Sequence, residues 1–304
     1  MSKTHDLLLL TDRRYVAPPE LTPYVQNVLT EDRLVAEALE RLGLRVGRVD
    51  WSDASVNWAS TSAALFRSTW DYFNRFDEFQ LWLERASALT TFINPVETIR
   101  WNYDKHYLAD LATRGITIPP SIFLEAGDRR SLAEALQESG WEEIILKPCV
   151  SGGGKHTYRL HAGNVAEYEV LYQELVAKEA FMIQPLQQYV LDNGELSLIV
   201  IGGKYTHAVK KVAKAGDFRV QDDWGGTVHP YDPTEEEIAF AESAARAVSP
   251  LPAYARVDMI RDNDGALAVM ELELIEPEMW FRLNPAAADS LAQVIAQGWF
   301  AALS

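Results

Sequence analysis

The chain has 304 residues, 48% of them hydrophobic and 24% charged, a composition that excludes a disordered protein and allows a sizeable buried core. Its 44 acidic and 28 basic side chains give a net charge of −16, which argues against nucleic acid and anionic membranes as partners. The single cysteine, Cys149, excludes an internal disulfide and favours a cytoplasmic location.

Strands and helices are predicted to alternate in the first hundred residues. Strands are expected at 7–11, 44–49 and 63–66, and helices at 31–42 and 78–88. The apolar run at 7–10 is too short to cross a membrane, so we interpret it as part of a buried strand. The alternation predicts a parallel sheet with helices on its faces. Ligands of such sheets collect at the carboxyl ends of the strands, where Asp12, Arg67 and Ser68 would lie.

A different pattern begins near residue 100. Asn102 is the expected cap of a helix that ends before Gly115. Further elements are predicted as strands at 121–124, 144–147 and 181–184 and as helices at 131–138 and 165–177. Strands predicted at 196–201, 205–211, 254–261 and 266–274 indicate an antiparallel sheet, backed by a helix at 234–247. The sequence therefore predicts α/β and α+β architecture, with domains at 1–100, 101–180 and 181–304.

A glycine run follows the predicted strand at 144–147. In the segment Ser151, Gly152, Gly153 and Gly154, three adjacent glycines allow backbone N–H groups to close around phosphate oxygens. The segment is not a Walker loop, because Cys149 and His156 stand where that motif requires Gly and Ser or Thr. A flexible turn without a ligand is the alternative interpretation.

Three carboxylates, Asp258, Glu271 and Glu273, fall on two neighbouring predicted strands. Glu271 and Glu273 share a face, since side chains alternate along a strand. Together the three offer hard oxygen ligands for one or two Mg²⁺ ions. The alternative is a solvated acidic strand, but apolar neighbours surround the pair, and carboxylates so placed are costly without a compensating cation.

Five cations accompany these features. Taken singly, each is most often a surface charge, and only their occurrence with the glycine run and the carboxylates gives them weight. They are Lys105, Lys147, Lys210, Lys211 and Arg219.

The order of these parts resembles the ATP-grasp superfamily over nearly the whole chain, which implies an ATP-grasp fold preceded by a pre-ATP-grasp parallel-sheet domain. The resemblance implies that Lys105 and Lys147 bind the nucleotide and that the loop at 151–154 covers the β- and γ-phosphates. The positions that it assigns to adenine and ribose are Gln184, Pro185 and Leu186 for adenine and Glu195 for ribose.

The same resemblance implies roles near the reacting groups. Lys211 and Arg219 match basic residues beside the transferred phosphoryl group, and Asp258 and Glu271 match magnesium ligands. One position departs from the usual pattern, because Glu273 replaces an Asn ligand. A carboxylate is also a good Mg²⁺ ligand, so ATP and Mg²⁺ remain the expected cofactors.

Within the superfamily the chain looks most like the glutathione-synthetase-like group, and the segments at 67–72 and 271–277 are similar to those of D-cycloserine-synthetase-like members. This implies an ADP-forming ligase that converts a small amino-acid-like carboxylic acid into an acyl phosphate, which an amine then captures. The amine belongs either to a second substrate or to the same molecule, in which case the product is a ring. Arg67, Ser68 and Asp71 are candidates for substrate binding, and the structural alternative pairs Arg67 with Asp71.

Two other functions stay open at this point. The same fold serves kinase-like or carboxylase-type enzymes with another acceptor, and it also serves nucleotide-binding regulators that have lost catalysis. A regulator that has lost catalysis would lack some of the carboxylates or lysines matched above, but this chain has all of them. A homodimer is the general expectation for a soluble enzyme of this class. Neither the acid nor the amine can be named from the sequence.

Overall fold

The computed structural model describes residues 3–220 and 224–301, and the strands within these ranges form three sheets. The strands are β1 (His5–Thr11), β2 (Val46–Asp50), β3 (Thr61–Ser68), β4 (Thr91–Ile93), β5 (Ile122–Leu124), β6 (Glu143–Pro148), β7 (Tyr158–His161), β8 (Phe181–Pro185), β9 (Glu195–Ile201), β10 (Lys204–Val212), β11 (Thr227–Tyr231), β12 (Tyr254–Arg261) and β13 (Leu267–Glu273). The helices are α1 (Arg13–Val16), α2 (Pro23–Arg41), α3 (Phe76–Ser87), α4 (Val96–Asn102), α5 (Tyr107–Thr113), α6 (Leu132–Ser139), α7 (Val165–Val176), α8 (Gln188–Asn193), α9 (Glu235–Arg246) and α10 (Ala286–Trp299).

The first sheet is parallel, with the order β2-β1-β3-β4, which confirms the predicted parallel sheet. Leu7 and Leu9 of β1 pack with α2, whereas Leu8 and Leu10 pack on the other face with aromatic residues of α3. This division follows from the alternation of side chains along a strand. Helix α2 begins at Pro23, eight residues before the predicted start, because Pro is accepted in the first turn and Thr22 caps the helix.

The second sheet has the order β5-β8-β6-β7, and its paired strands are antiparallel. One face is covered by α6 and α7 around the buried Tyr172 and Phe181. Helix α6 begins at a capping box formed by Ser131 and Glu134. The side chains of Ile145 and Lys147 on β6 line a cavity next to the sheet, which places a lysine beside the strand end that leads into the glycine run.

The third sheet is antiparallel, with the order β11-β10-β9-β12-β13. Helix α9 packs against β9, β12 and β13, as predicted for the helix at 234–247. Helix α10 was not predicted from the sequence; it packs on α2 and joins the first and third sheets in one hydrophobic cluster. That cluster contains Leu9, Leu39, Ile199, Tyr254 and Leu291.

The predicted start of this helix at Asn102 was wrong, since α4 ends at Asn102 and α5 begins at Tyr107, whereas its predicted end before Gly115 is confirmed. Asn102 does not cap a helix. Its side-chain amide donates to the Leu272 carbonyl at 2.7 Å and accepts from the Leu274 N–H at 2.8 Å. These bonds satisfy the outer edge of β13, the edge strand of the third sheet. The break between the helices leaves Lys105 in a turn, and its N–H donates to the Cys149 carbonyl at 2.9 Å.

None of the helices within the described ranges is both long enough and apolar enough to cross a membrane.

Candidate active site

A cavity of about 800 Å³ is lined by residues from all three sheets and the segments that connect them. It brings together every residue for which the sequence predicted a nucleotide, metal or catalytic role. These are Lys105, Lys147, Ser151, Gly152, Gly153, Gly154, Gln184, Pro185, Leu186, Glu195, Lys211, Arg219, Asp258, Glu271 and Glu273. Lys210 is not among the residues that line it.

Lys105 and Lys147 differ in what they contact. The Lys105 ammonium is buried, donates to the Ser151 carbonyl at 3.0 Å and lies 3.2 Å from a carboxylate oxygen of Glu271. Burial alone would lower the pKa of Lys105, but attraction by Glu271 outweighs it and leaves the pKa raised. Burial does lower the pKa of Lys147. Among the described residues Lys147 has no hydrogen-bond or ion-pair partner, so it is a cation available to an anionic ligand.

The predicted adenine segment lies at the end of β8. Gln184 is buried, and its amide donates to the Ser121 hydroxyl at 2.9 Å. The amide oxygen of Gln184 has no hydrogen-bond partner in the described part of the chain. Backbone groups of Leu186 are already paired, since its N–H donates to the Glu143 carbonyl and its carbonyl accepts from Asn263. The Gln184 oxygen is therefore the group of this segment that can accept from an exocyclic amino group.

Lys211 joins two buried carboxylates. Its ammonium lies 2.5 Å from Glu195 and 2.8 Å from Asp258. Burial lowers the pKa of Lys211, but the two carboxylates, Asp258 first, leave it raised. Burial raises the pKa of Glu195 despite this pairing. In this arrangement one carboxylate oxygen of Glu195 contacts a cation.

The three predicted metal ligands lie on adjacent strands. Asp258 of β12 is paired in register with Glu271 of β13, and ligand oxygens of Asp258, Glu271 and Glu273 lie within 4.8 Å of one another. Glu271 and Glu273 each keep one carboxylate oxygen without a donor in the described ranges. Two such hard oxygens, side by side, suit Mg²⁺.

Asp258 is already fully hydrogen-bonded. One oxygen accepts from the Ser197 hydroxyl at 2.6 Å and from Arg256 at 3.0 Å, and the other accepts from Lys211 at 2.8 Å and Arg256 at 2.9 Å. Burial would raise its pKa, but Arg256 and Lys211 hold it well below the usual range. Four donors use the four acceptor positions of a carboxylate. A metal bound by Asp258 would have to displace one of them.

Arg256 was missed by the sequence analysis. It lies in register with Glu273 across β12 and β13, and its guanidinium contacts both Glu273 and Asp258. The guanidinium carbon of Arg256 lies 5.2 Å from the centroid of the Trp280 ring. Burial raises the pKa of Glu273 to about 7, although Arg256 opposes the shift. A basic residue two positions before a metal carboxylate, on the same strand face, is the signal that could have found Arg256.

Arg219 lies over the glycine loop. Its guanidinium forms a two-pronged ion pair with Asp217, which lowers the pKa of that carboxyl to about 2. The guanidinium carbon lies 3.3 Å from the ring centroid of Trp224, and the Trp224 indole N–H donates to the Gly153 carbonyl at 3.0 Å. The segment that carries Arg219 is thus held against the predicted phosphate loop.

The glycine loop also contacts the first domain. Lys155 donates to the Asn74 side chain at 2.9 Å, and Gly152 packs against the ring of Phe73. Phe73 and Asn74 belong to a 3₁₀ turn after β3. Neither Phe73 nor Trp224 was singled out by the sequence analysis, because an aromatic residue far away in the chain carries no local signal for a loop contact.

Arg67, Ser68 and Asp71, the predicted substrate residues, do not line the cavity. Arg67 lies 3.4 Å from Asp32 rather than pairing with Asp71, and Ser68 is hydrogen-bonded to Thr11 at 2.7 Å. Asp71 instead accepts from the Trp51 indole and pairs with Arg75. The pairing of Arg67 with Asp71 was therefore wrong. Residues of the first domain that do line the cavity are Arg14, Tyr15, Tyr24, Trp70, Tyr72, Phe73 and Asn74.

Comparison with known proteins bears on this site. Residues 7–94 match the N-terminal domain of D-cycloserine synthetase DcsG, and residues 150–277 match the RimK-like ATP-grasp domain. The cycloserine biosynthesis protein DcsG of Streptomyces lavendulae is 31% identical over 281 residues, which are 86% of this chain and 91% of that protein. A probable alpha-L-glutamate ligase of Ectopseudomonas mendocina is 28% identical over 164 residues, 53% of this chain and 52% of its own length.

Solved structures agree with these matches. The crystal structure of D-cycloserine synthetase DcsG superposes with a TM-score of 0.84 at 28% identity, over 96% of this chain and 99% of that one. D-alanine–D-alanine ligase from Bacillus anthracis shares the fold, with a TM-score of 0.64 at 16% identity over 98% of both chains. The chain thus belongs to the DcsG family of the ATP-grasp superfamily and is an ATP-dependent, ADP-forming ligase that makes a C–N bond.

Proposed function

We propose that the chain uses MgATP to phosphorylate the carboxylate of a small amino-acid-like substrate, and that an amine of the same molecule then closes a ring. The similarity to a cycloserine biosynthesis protein over 91% of its length supports ring closure. The observation that carries the proposal is the cavity itself, in which phosphate-binding cations and paired carboxylates meet aromatic side chains of the first domain.

ATP would lie with its adenine against Gln184 and its phosphates beneath the loop at 151–154. Lys105 and Lys147 reduce the repulsion that an incoming carboxylate meets at the γ-phosphate. Glu271 and Glu273 are the ligands that would hold Mg²⁺, and Asp258 would join them only by giving up a donor. When bound, the ion supplies further neutralisation of phosphate charge.

In the first step a substrate carboxylate oxygen attacks the γ-phosphorus and the bond to the β-phosphate oxygen breaks, which releases ADP. In the second step the amine nitrogen attacks the acyl carbon, loses a proton and expels phosphate. Arg219 is the candidate for stabilising the charge on the acyl phosphate, since Asp217 accepts from Nε and Nη2 of its guanidinium and leaves Nη1 to donate to phosphate oxygens. The contacts of Phe73 and Trp224 with the loop would keep water from that intermediate.

The proposal is tested by incubating the protein with MgATP and a set of amino acids whose side chains end in a nucleophilic nitrogen. We expect ADP and phosphate in equal amounts, and a product lighter than its substrate by at least one water, without any added amine. Hydroxylamine should trap the acyl phosphate as a hydroxamate. Release of AMP would refute the mechanism, and turnover that requires a second, added amine would refute ring closure.

A kinase-like or carboxylase-type acceptor is the competing function, and a stable phosphorylated product without hydroxamate would identify it. The domain boundaries after residues 100 and 180, the cytoplasmic location and the homodimer stay predictions.

A further inference from the structure

One part of the cavity is lined by aromatic rings together with the carboxylate of Glu276. We call it the aromatic end, and it consists of Tyr15, Tyr24, Trp70, Tyr72, Glu276 and Trp280. The Trp70 indole N–H donates to the Glu276 carbonyl at 2.9 Å, which ties the first domain to the segment after β13. Tyr15 meets the Trp70 ring edge-on, with centroids 5.6 Å apart.

Glu276 has no cationic partner within ion-pair distance in the described ranges. Burial, and then repulsion by Glu273, raise the pKa of Glu276 to about 8, and the Tyr72 hydroxyl is a hydrogen-bond partner of its carboxylate. The cations that line the cavity near these rings have other partners, because Arg256 contacts Asp258 and Glu273, and Arg14 pairs with Asp12. A half-buried carboxylate that lacks a cation is costly, so this position favours a ligand that supplies one.

The rings around Glu276 also favour a cation. Trp attracts cations over its face more strongly than the other aromatic side chains, and Tyr does so to a smaller degree. Tyr72 is hydrogen-bonded to the carboxylate of Glu276, and Trp70 is hydrogen-bonded to the backbone carbonyl of the same residue. The aromatic end therefore combines two kinds of group that recognise an ammonium.

Trp280 adds an independent observation. It is 2% exposed, its indole N–H has no hydrogen-bond partner in the described ranges, and its φ of 48° lies in the left-handed region. A bulky residue rarely adopts this conformation, and such strain concentrates at functional sites. A buried donor without a partner next to the cavity suits an acceptor oxygen of a ligand. A cation and an oxygen acceptor are the polar groups of an amino acid.

We propose that the aromatic end binds the ammonium group of the substrate, with Glu276 as its counter-ion and Trp70 and Tyr72 as its aromatic walls. This inference rests on the proposed function, and it restricts the substrate class to acids that carry a free ammonium. Ammonium binding there would fix the distance from the cation to the carboxylate that reacts, and so would select against acids that lack the amino group.

The test compares two ligands that differ only in the amino group, D-serine and 3-hydroxypropanoate. Calorimetry in the presence of Mg²⁺ and a non-hydrolysable ATP analogue measures their binding to the wild type and to Glu276→Gln. We expect the wild type to prefer D-serine at least tenfold and Glu276→Gln to lose most of that preference. The control variant Glu125→Gln replaces a glutamate at an exposed position in the same way and should keep the preference for D-serine.

Two further variants guard against a folding defect in Glu276→Gln. Trp70→Leu removes the strongest ring and should reduce the preference for D-serine severalfold, whereas Glu276→Asp keeps the charge and should retain part of it. Affinity for the ATP analogue should be unchanged in all variants. An equal preference for D-serine in the wild type, Glu276→Gln and Trp70→Leu would overturn the proposal, as would the absence of a preference in the wild type.

Failure of the proposed function has a different signature. If no carboxylic acid yields a hydroxamate with ATP, ring-forming ligation fails, yet the calorimetric preference still reports on the ammonium. Conversely, hydroxamate formed equally well from D-serine and 3-hydroxypropanoate by the wild type would support carboxylate activation and overturn the ammonium site.

Discussion

Gly152→Ala tests whether the glycine loop must close against the first domain. A Cβ placed on Gly152 would lie 2.6 Å from Cε1 of Phe73, whereas ordinary contacts begin at 3.4 Å, a shortfall of about 0.8 Å. Phe73 is not free to retreat, because its ring packs edge-on against that of Tyr72, which is buried. The loop itself must therefore move away from the position shown by the structure.

The expected magnitude follows from this overlap. Overpacking of one methyl group costs about 1–3 kcal/mol, which corresponds to a loss of roughly 5- to 150-fold in affinity for a ligand that needs the closed loop. Since the loop at 151–154 is assigned to the ATP phosphates, we expect Gly152→Ala to raise the KM for ATP by a factor in that range. The effect on folding stability should be smaller, because the loop is partly exposed.

The assay is ADP release at increasing ATP concentrations, with Phe73→Leu as the partner variant. Gly152→Ala combined with Phe73→Leu should recover most of the lost affinity, since the smaller side chain relieves the overlap. Gly154→Ala is the matched control: its φ is +72° and its Cβ would meet Trp224, so Phe73→Leu should not rescue it. The reasoning is refuted if Gly152→Ala keeps the KM of the wild type, or if Phe73→Leu rescues both glycine variants equally.

Two further predictions concern folding stability. Asn102→Ala leaves the Leu272 carbonyl and the Leu274 N–H without their side-chain partner, so we expect a loss of about 2–4 kcal/mol in unfolding free energy and a higher KM for MgATP. Urea unfolding measures the loss against Gln80→Ala, an exposed change on α3, and equal stability of the two variants would contradict the role of Asn102. Burial raises the pKa of Glu276 to about 8, from an unfolded value near 4.5. Between pH 4.5 and pH 8 the folded chain therefore holds a proton that the unfolded chain has lost. The free energy of unfolding should fall as the pH rises through this range. Glu276→Gln should flatten this decline in the metal-free protein between about pH 6 and 8, and an unaltered slope would show that Glu276 does not cause it.

Much of the fold could be predicted because the local signals agreed with the tertiary structure. The apolar run at Leu7 to Leu10 identified β1, and the helix predicted to begin at Ser131 is α6, which starts at a capping box of Ser131 and Glu134. The edge strands β4, β7 and β11 were missed because they carry no periodic apolar pattern, whereas β5, which is as short as β4, was found as an apolar run. The break between α4 and α5 was missed because the side chain of Asn102 bonds to Leu272 of β13, 170 residues away, instead of capping a helix. A contact between positions so far apart leaves no local signal in the sequence.

The candidate site shows the same division between local and distant signals. Residues with a motif, such as Lys147 and Glu271, were found from the chain alone. Arg256 and Trp280 were not, because their importance comes from contacts across β12, β13 and the segment that follows. Arg67 was selected for its position after a strand, and the structure pairs it with Asp32 on α2. Strand ends indicate where a ligand could bind, whereas only the packing decides which side chains reach it.

The cluster that joins β1, α2, β9, β12 and α10 has a consequence for engineering. Glu31 on α2 accepts hydrogen bonds from the N–H groups of Phe281 and Arg282, and Asn94 bonds to the backbone of Ala253, Tyr254 and Leu274. The first 94 residues are therefore not an interchangeable module. A chimera that takes a relative's first domain to gain its substrate must also take the matching faces of β9, β12 and α10. Without them it would expose apolar surface and leave backbone groups unpaired beneath the active site.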